Sequence, residues 1–378
     1  ERLQVGGAPV DPDTFARIAS EVLEIADGVA RRHGEPTEFE LLTAITFRWF
    51  AEAGIDLAVV EVGLGGRLDA THAWDGGVAV VTNVTLDHMD RLGATVEAIA
   101  REKAAIIMRG DLAVTGAWGS ALKVIERRSR RVAAPLVVPP PAQIRTFDRD
   151  GIQVELGRLG LVRVGLRGRH QAANAAVADA TLDALESAGI ARVPGEARRA
   201  GYAAVRWPGR LELVEAGGRE VLIDGAHNPA GAAALAEALD DIVPLLAPGR
   251  PTLVLAIMAD KDVDGVIRAL AGAATLHGAR VICTALAGGR ALPADLLAAR
   301  WRALAGRAAE AISEPAAALD AAVSAGSGAG SGGRGLAGRD GPVIVAGSLY
   351  LVGAVRAILV RDPILAPDPP LPPLEPAP

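Results

Sequence analysis

The chain has 378 residues, about twice the length of a typical domain, so two packed cores are expected. Its 39 basic and 45 acidic residues leave a formal charge of −6, which excludes a nucleic-acid or anionic-membrane binder that works by neutralising phosphates. With 50% hydrophobic and 22% charged residues it is not a disordered chain, and its single cysteine, Cys283, can build neither an intramolecular disulfide nor a thiolate cluster, which points to a reducing, cytoplasmic setting.

The sequence opens at Glu1 without a methionine or a targeting segment and is expected to be a fragment that lacks a first strand and its phosphate loop. Apolar residues spaced three and four apart predict helices over 15–30 and 39–53. Two apolar runs, 57–62, interrupted only by Glu61, and 78–81, predict strands of a parallel sheet buried on both faces. A helix is predicted over 95–108, short strands over 113–115 and 136–138, alternating strands around a turn over 151–166, and a long helix over 170–187. The Trp207-Pro208-Gly209-Arg210 turn marks a domain boundary after a polar, arginine-rich stretch. Beyond it strand and helix alternate: strands at 221–224, 252–258, 280–283 and 343–346, helices at 231–246, 263–271, 294–305 and 351–359. That alternation predicts an open parallel sheet with helices on both faces. Residues 326–338 read as a Gly/Ser-rich surface loop and 363–378 as a Pro-rich disordered tail. The uncharged stretch 341–355 is broken by Gly347, Ser348 and Gly353 and falls short of the ~20 residues that a membrane span requires.

Ligands of open parallel sheets bind beyond the carboxyl ends of the strands, so polar residues that directly follow apolar runs are the candidates. Glu61 ends one run and precedes Gly63-Leu-Gly-Gly-Arg-Leu-Asp69; Asp87-His88 follows another; Asp224, Asp260-Lys261-Asp262 and Gly347-Ser348 follow strands of the second half. The glycines could belong to a dinucleotide fingerprint with Asp87, 24 residues after Gly63, but its third glycine would fall at Leu68. Alternatively, Glu61 and His88 hold a divalent ion, magnesium needing few protein ligands because it keeps several waters. Lys103, one of three lysines among 39 basic residues, shares a helical stripe with Val96, Ile99, Ala100 and Ile107. Burial there would favour its neutral amine, although snorkelling or pairing with Glu102 or Glu61 would serve as well. Asn228 and Pro229 suit a helix start, whereas Asp224 and His227 are not explained that way.

Together these blocks resemble the folylpolyglutamate synthases and dihydrofolate synthases of the Mur ligase superfamily. The likeness is carried in order by Glu61-Val-Gly-Leu-Gly-Gly-Arg-Leu-Asp-Ala-Thr71, Leu86-Asp-His88, Glu102-Lys103-Ala104, His170-Gln-Ala-Ala-Asn174, Pro208-Gly-Arg-Leu-Glu212, Asp224-Gly-Ala-His-Asn-Pro229, Asp260-Lys261-Asp262 and Gly347-Ser-Leu-Tyr350. It implies an α/β fold with a Mur-ligase-like central ATP-binding domain, truncated at its start, over 1–204. A Rossmann-like C-terminal glutamate-ligase domain with a mostly parallel sheet would follow over 205–362. The implied reaction joins L-glutamate to dihydropteroate or to folates through an acyl phosphate, with ATP and Mg²⁺, in a cytoplasmic monomer free of nucleic-acid or membrane partners.

By the same resemblance, Glu61 and His88 are Mg²⁺ ligands and Lys103 is a lysine that becomes carbamylated. Thr37, Glu38, Phe39, Glu40 and Leu68 are pterin-side contacts, while Asn174, Arg210 and Asp224 contact ATP. His227 and Ser348 lie near glutamate or the acyl phosphate. The sequence departs from the family at His72, where asparagine is usual, at Ala105 and Met108, and in the absence of a Gly-Lys-Gly-Ser/Thr loop. A non-catalytic folate- or nucleotide-binding relative and an NAD-dependent oxidoreductase are the competing readings.

Overall fold

The computed structural model describes residues 2–286, 288, 291–324 and 340–360, so the Gly/Ser-rich run 326–338 and the tail 363–378 lie outside the described residues. Its contacts divide the chain into two compact units, Glu1–Pro140 with Ala176–Pro194, and Pro141–Ala175 with Gly195–Pro378. Residues 141–175, counted with the first domain from sequence, pack with the second unit.

In the first unit a small hairpin, β1 (Gln4–Val5) and β2 (Ala8–Pro9), precedes α1 (Pro12–His33) and α2 (Glu38–Ala53). Asp11 caps α1 by accepting from the Thr14 amide at 2.9 Å, and α2 ends at Gly54 in the left-handed conformation with φ 61°. Ile18 and Ile45 bury the seam between these helices beside Trp49, and Arg48 bridges Glu21 and Glu52 at its rim. The remaining elements are β3 (Val78–Val81), α3 (Met89–Leu92), α4 (Val96–Ala104), β4 (Leu112–Thr115), α5 (Gly119–Val132) and β5 (Leu136–Val137). The three strands form a parallel sheet in the order β3-β4-β5, with Ile99, Ile107, Ala113 and Ile125 among its core residues.

The run 57–62 is not a strand: β3 pairs only with β4, nothing in the described sheet offers the run a ladder, and Val59 is 92% exposed. An apolar segment of this length signals strand only where a neighbour completes its hydrogen bonds. The helix predicted over 95–108 is also shorter, ending in α4 at Ala104.

The second unit opens with an antiparallel meander, β6 (Gln143–Asp148), β7 (Gly151–Leu156) and β8 (Gly160–Val164). Then come α6 (His170–Ser187), whose first six residues belong to this unit, and α7 (Gly195–Ala204), formed within the polar, arginine-rich stretch that precedes the Trp207–Arg210 turn. The main sheet is built from β9 (Glu212–Ala216), β10 (Arg219–Ile223), β11 (Arg250–Leu255), β12 (Arg280–Cys283), β13 (Glu310–Ala311) and β14 (Asp340–Ala346). Its order is β13-β12-β11-β14-β10-β9, parallel except for the β9–β10 pair.

Alternate strand residues face opposite layers. Leu222, Leu253, Leu255 and Ile344 pack with α8 (Pro229–Ile242), α9 (Val263–Ala271) and α10 (Ala294–Ala305). Val221, Ile223, Val254 and Val345 pack with α11 (Pro315–Val323) and α12 (Leu349–Leu359). This doubly covered, mostly parallel sheet is the one the strand–helix alternation predicts. The stretch 341–355 is β14 plus the start of α12, and among the described residues no helix is long and apolar enough to cross a membrane.

Candidate functional site

Two clusters of sequence-singled residues form, one in each unit. In the second unit the strand ends of β10, β11, β12 and β14 lie side by side, and their ladders run on past the strands. Asp224, Ala256 and Thr284 donate backbone N–H groups to Val345, Ala346 and Leu255 at 2.9, 3.3 and 2.9 Å. Asp224 is therefore fixed by its backbone at the carboxyl edge. Its side chain is buried and accepts from the amides of Leu211 at 2.9 Å and Ala226 at 2.8 Å. Burial pushes this carboxyl above its ordinary range, against the pull of those two amides and of Arg210 and His170.

The turn carrying Arg210 is held just as firmly. Gly209 and Leu211 have φ of 69° and 46°, and Gly225 donates to the Gly209 carbonyl at 2.9 Å. Glu212 accepts from the Gly209 amide at 2.7 Å and forms a two-pronged pair with Arg356 of α12 at 2.7 and 3.1 Å. The Arg210 guanidinium and Leu349 crowd the space that a side chain at Gly225 would need. Gly168 abuts both His170 and Leu211, so the start of α6 joins the same cluster. His170 is half-buried, and that desolvation holds its imidazole below the ordinary 6.5 despite the nearby Asp224 charge. Gln171 links His170 at 3.1 Å to Asn174, whose amide donates to Gln171 at 2.9 Å. Asn174, Arg210 and Asp224, expected at the nucleotide, thus belong to one cluster.

His227 Nδ1 lies 2.8 Å from the Gly225 carbonyl, an oxygen that can only accept, so Nδ1 is the donor of this pair. Ser348 is buried and caps α12 by accepting from the Tyr350 amide at 3.1 Å. Asn228 and Asp262 cap α8 and α9 by accepting from Gly231 and Gly265, both at 2.8 Å. Sequence reasoning missed the Glu212–Arg356 pair and the strained Leu211. The available signal was Arg356 itself, a charge set in an otherwise apolar helix.

In the first unit the glycine block lies against the end of α4. Gly65 and Gly66 have φ of 73° and 155°, and a Cβ on Gly66 would sit 2.7 Å from the Glu102 carbonyl oxygen. A Cβ on Gly65 would sit 2.9 Å from Leu92, and Arg67 donates its amide to the Glu102 carbonyl at 3.1 Å. Three blocks, Glu61–Thr71, Leu92-Gly93 and Glu102-Lys103, therefore meet. Asp69 holds the loop by accepting from Leu64 at 2.9 Å and Thr71 at 3.0 Å. That closed loop is followed by a short 3-10 turn (Ala70–Ala73) rather than the long helix a dinucleotide fold needs.

Lys103 is half-buried, not part of the fully buried stripe, which consists of Ile99, Ala100 and Ala104. The helix ends directly after it, which turns position 103 to the edge of the apolar face. Glu61 and His88 are exposed, His88 with φ 49°, a conformation uncommon outside glycine. Among the described residues no group of three or more His, Cys, Asp or Glu side chains is arranged to hold a metal ion. Thr37 and Glu40 form a reciprocal capping box at 3.3 and 2.7 Å, which accounts for both in helix initiation, and Glu38 is an exposed acid of the same first turn. The Phe39 ring abuts Gly63, and Leu68 is 81% exposed.

Residues 14–130 match the Mur ligase middle domain and residues 209–332 the Mur ligase glutamate ligase domain. The chain is 38% identical over 297 residues to the dihydrofolate synthase/folylpolyglutamate synthase of Mycobacterium tuberculosis, covering 71% of this chain and 59% of that protein. It is 31% identical to the folylpolyglutamate synthase of Lacticaseibacillus casei, covering 95% of this chain and 80% of that protein. A solved Mycobacterium tuberculosis folylpolyglutamate synthase complexed with ADP superposes with a TM-score of 0.81 at 34% identity, covering 94% of this chain and 80% of that one. On these likenesses the chain belongs to the folylpolyglutamate synthase and dihydrofolate synthase family of Mur ligases.

Proposed function

We propose that the protein is an ATP-dependent ligase that joins L-glutamate to dihydropteroate, to folates, or to both. The supporting observation is that the blocks His170–Asn174, Pro208–Glu212 and Asp224–Pro229 converge in a chain aligned over 94% of its length with a structure complexed with ADP. In this reading Asn174, Arg210 and Asp224 bind the nucleotide, Arg210 as the charged contact and Asp224 as the acceptor that fixes the turn. The substrate carboxylate attacks the γ-phosphorus, ADP leaves, and the glutamate amine displaces phosphate from the acyl phosphate, so positioning and charge neutralisation do most of the catalytic work. With its imidazole neutral, His227 accepts a proton at Nε2 from the incoming ammonium, and Ser348 lies by the same strand edge as Asp224.

Glu61 and His88 suit Mg²⁺, since their oxygen and nitrogen donors are exposed and a magnesium ion that keeps several waters needs few protein ligands. Magnesium would neutralise phosphate charge there. For Lys103 the reading is carbamylation: the neutral amine adds to the carbon of CO₂ and loses a proton, giving a carboxylate on a long stem. Thr37, Glu38, Phe39, Glu40 and Leu68 serve the pterin side, and the domains are 1–204 and 205–362 in a cytoplasmic monomer.

Incubation of the protein with ATP, Mg²⁺, glutamate and either dihydropteroate or tetrahydrofolate, followed by mass detection of the product, tests the function. Formation of the glutamyl adduct with one ADP released per bond is the expected result, and ATP-independent product or none would overturn it. Lys103→Arg should lose most activity, because a guanidinium keeps its proton, whereas full activity of that variant in bicarbonate-depleted buffer would remove the carbamate.

A further inference from the structure

The first unit contains a cleft of about 520 Å³ that the residues assigned to chemistry do not line. Its walls carry Arg67, Arg101, Arg127, Arg128 and Arg131, with Glu102 as the one acid among them. Five guanidinium groups against one carboxylate stand out in a chain whose formal charge is −6. Three of the five are held in place through their Nε atoms. Arg67 Nε donates to both Glu102 oxygens at 3.0 and 3.2 Å, Arg127 Nε to the Lys123 carbonyl at 3.1 Å and Arg128 Nε to the Ile107 carbonyl at 3.0 Å. Arg128 also places a terminal nitrogen on the Ala105 carbonyl at 3.1 Å. These bonds orient the forks and leave the terminal donors of Arg67 and Arg127 for another partner. Burial and the Arg131 charge disfavour the Arg128 cation, although Asp111 offsets part of its charge. A concave surface that concentrates like charge in this way is relieved by a bound anion.

Spacing and charge density together select the anion. Arg127 and Arg131 stand one turn apart on α5, about 6 Å along the axis, while Arg101 projects from α4 and Arg67 from the glycine loop. A lone phosphate or carboxylate meets at most a neighbouring pair of these. A linear polyphosphate carries charge on every phosphorus along its length, and its oxygens suit guanidinium forks by two-pronged bonds. A chain of carboxylates needs several carbons for each charge and brings fewer charges into the same volume. We propose that this cleft binds a short linear polyphosphate, at a site built from none of the residues of the Asp224 cluster. The site goes beyond the ligase reading and does not depend on it, because a free polyphosphate takes no part in that reaction. Since Arg67 belongs to the glycine loop and Arg127 to α5, one ligand that spans them ties the loop to the helix.

Calorimetric titration with tripolyphosphate in magnesium-free buffer at low salt, with orthophosphate and citrate as comparison ligands, tests it without requiring turnover. The expected result is binding that is tighter for tripolyphosphate than for either comparison ligand and that weakens as salt screens the charges. Affinity should fall by about tenfold or more in Arg127→Gln/Arg131→Gln, on the scale of a lost charged hydrogen bond. Arg130→Gln, whose side chain pairs with Glu126 and does not line the cleft, should bind as the parent does. Arg210→Gln, which alters the nucleotide cluster instead, should also bind as the parent does. Both arginines of the double variant are exposed, so its thermal unfolding should be unchanged, which separates lost contacts from lost fold. No tripolyphosphate binding, unchanged binding in the double variant, or orthophosphate or citrate binding as tight as tripolyphosphate would each overturn the site. Binding lost in Arg210→Gln would place the polyphosphate at the nucleotide cluster and overturn it as well.

Discussion

The two clusters are built in opposite ways. In the second unit the candidate residues are held from beneath: Asp224 sits on a strand end, its carboxylate ties two backbone amides, and the adjoining turn is clamped by Glu212 and Arg356. In the first unit the glycine loop is anchored where it abuts α4, but Glu61 and His88 are exposed and Lys103 is half-buried at a helix end. The difference shows that a parallel sheet pre-positions groups at its carboxyl edge through backbone hydrogen bonds, whereas loop-borne groups take their geometry from local turns.

The largest effect should come from the clamp. Glu212→Ala removes both the carboxylate paired with Arg356 and the acceptor of the Gly209 amide, and should cost about 3–5 kcal/mol, measured by denaturant unfolding. A loss under about 1 kcal/mol would show that the pair is solvated and the turn needs no clamp. Next is Asp224→Ala, which should lower the ligation rate by about 100-fold, the scale of one lost electrostatic contact. Near-parent turnover would dissolve the contrast between the two clusters by removing Asp224 from the chemistry.

Gly66→Ala probes the first unit, since a methyl group there meets the Glu102 carbonyl oxygen in a backbone region reserved for glycine. A cost of about 1–3 kcal/mol is expected, with substrate KM raised more than ADP affinity lowered. The converse pattern would place the nucleotide on the glycine loop.

A pH experiment sharpens the same comparison. His170 is held below 6.5 by burial, so as pH falls below about 6.5 the unfolded chain binds the proton first and stability declines, by at most about 1.4 kcal/mol per pH unit. His170→Gln should flatten that slope in equilibrium unfolding between about pH 5 and 6.5. An unchanged slope would mean that His170 is solvated. The smallest effect is expected at Thr37→Ala, which loses one half of the capping box and should cost about 1 kcal/mol, read from thermal unfolding. A larger loss of substrate affinity than of stability would give Thr37 a ligand role beyond the cap.

Much of the secondary structure was legible before any coordinates. The helix 170–187 and the segments 78–81, 263–271, 280–283 and 294–305 have the predicted bounds, because apolar periodicity and Asp, Asn and Pro start signals are local properties of the chain. The order of the motif blocks also identified the family, and the end of the apolar run at 221–224 put Asp224 at the carboxyl edge of a strand, where the structure has it. Four things were decided only by tertiary structure. The run 57–62 has the composition of a strand, but a strand exists only if a neighbour supplies its ladder. Lys103 fits the buried stripe by spacing, but burial depends on where α4 ends and what packs there. The Glu212–Arg356 pair joins residues 144 apart, and the basic cleft draws arginines from one loop and two helices; no local pattern encodes either, because charge pairing and concavity are properties of elements packed in space.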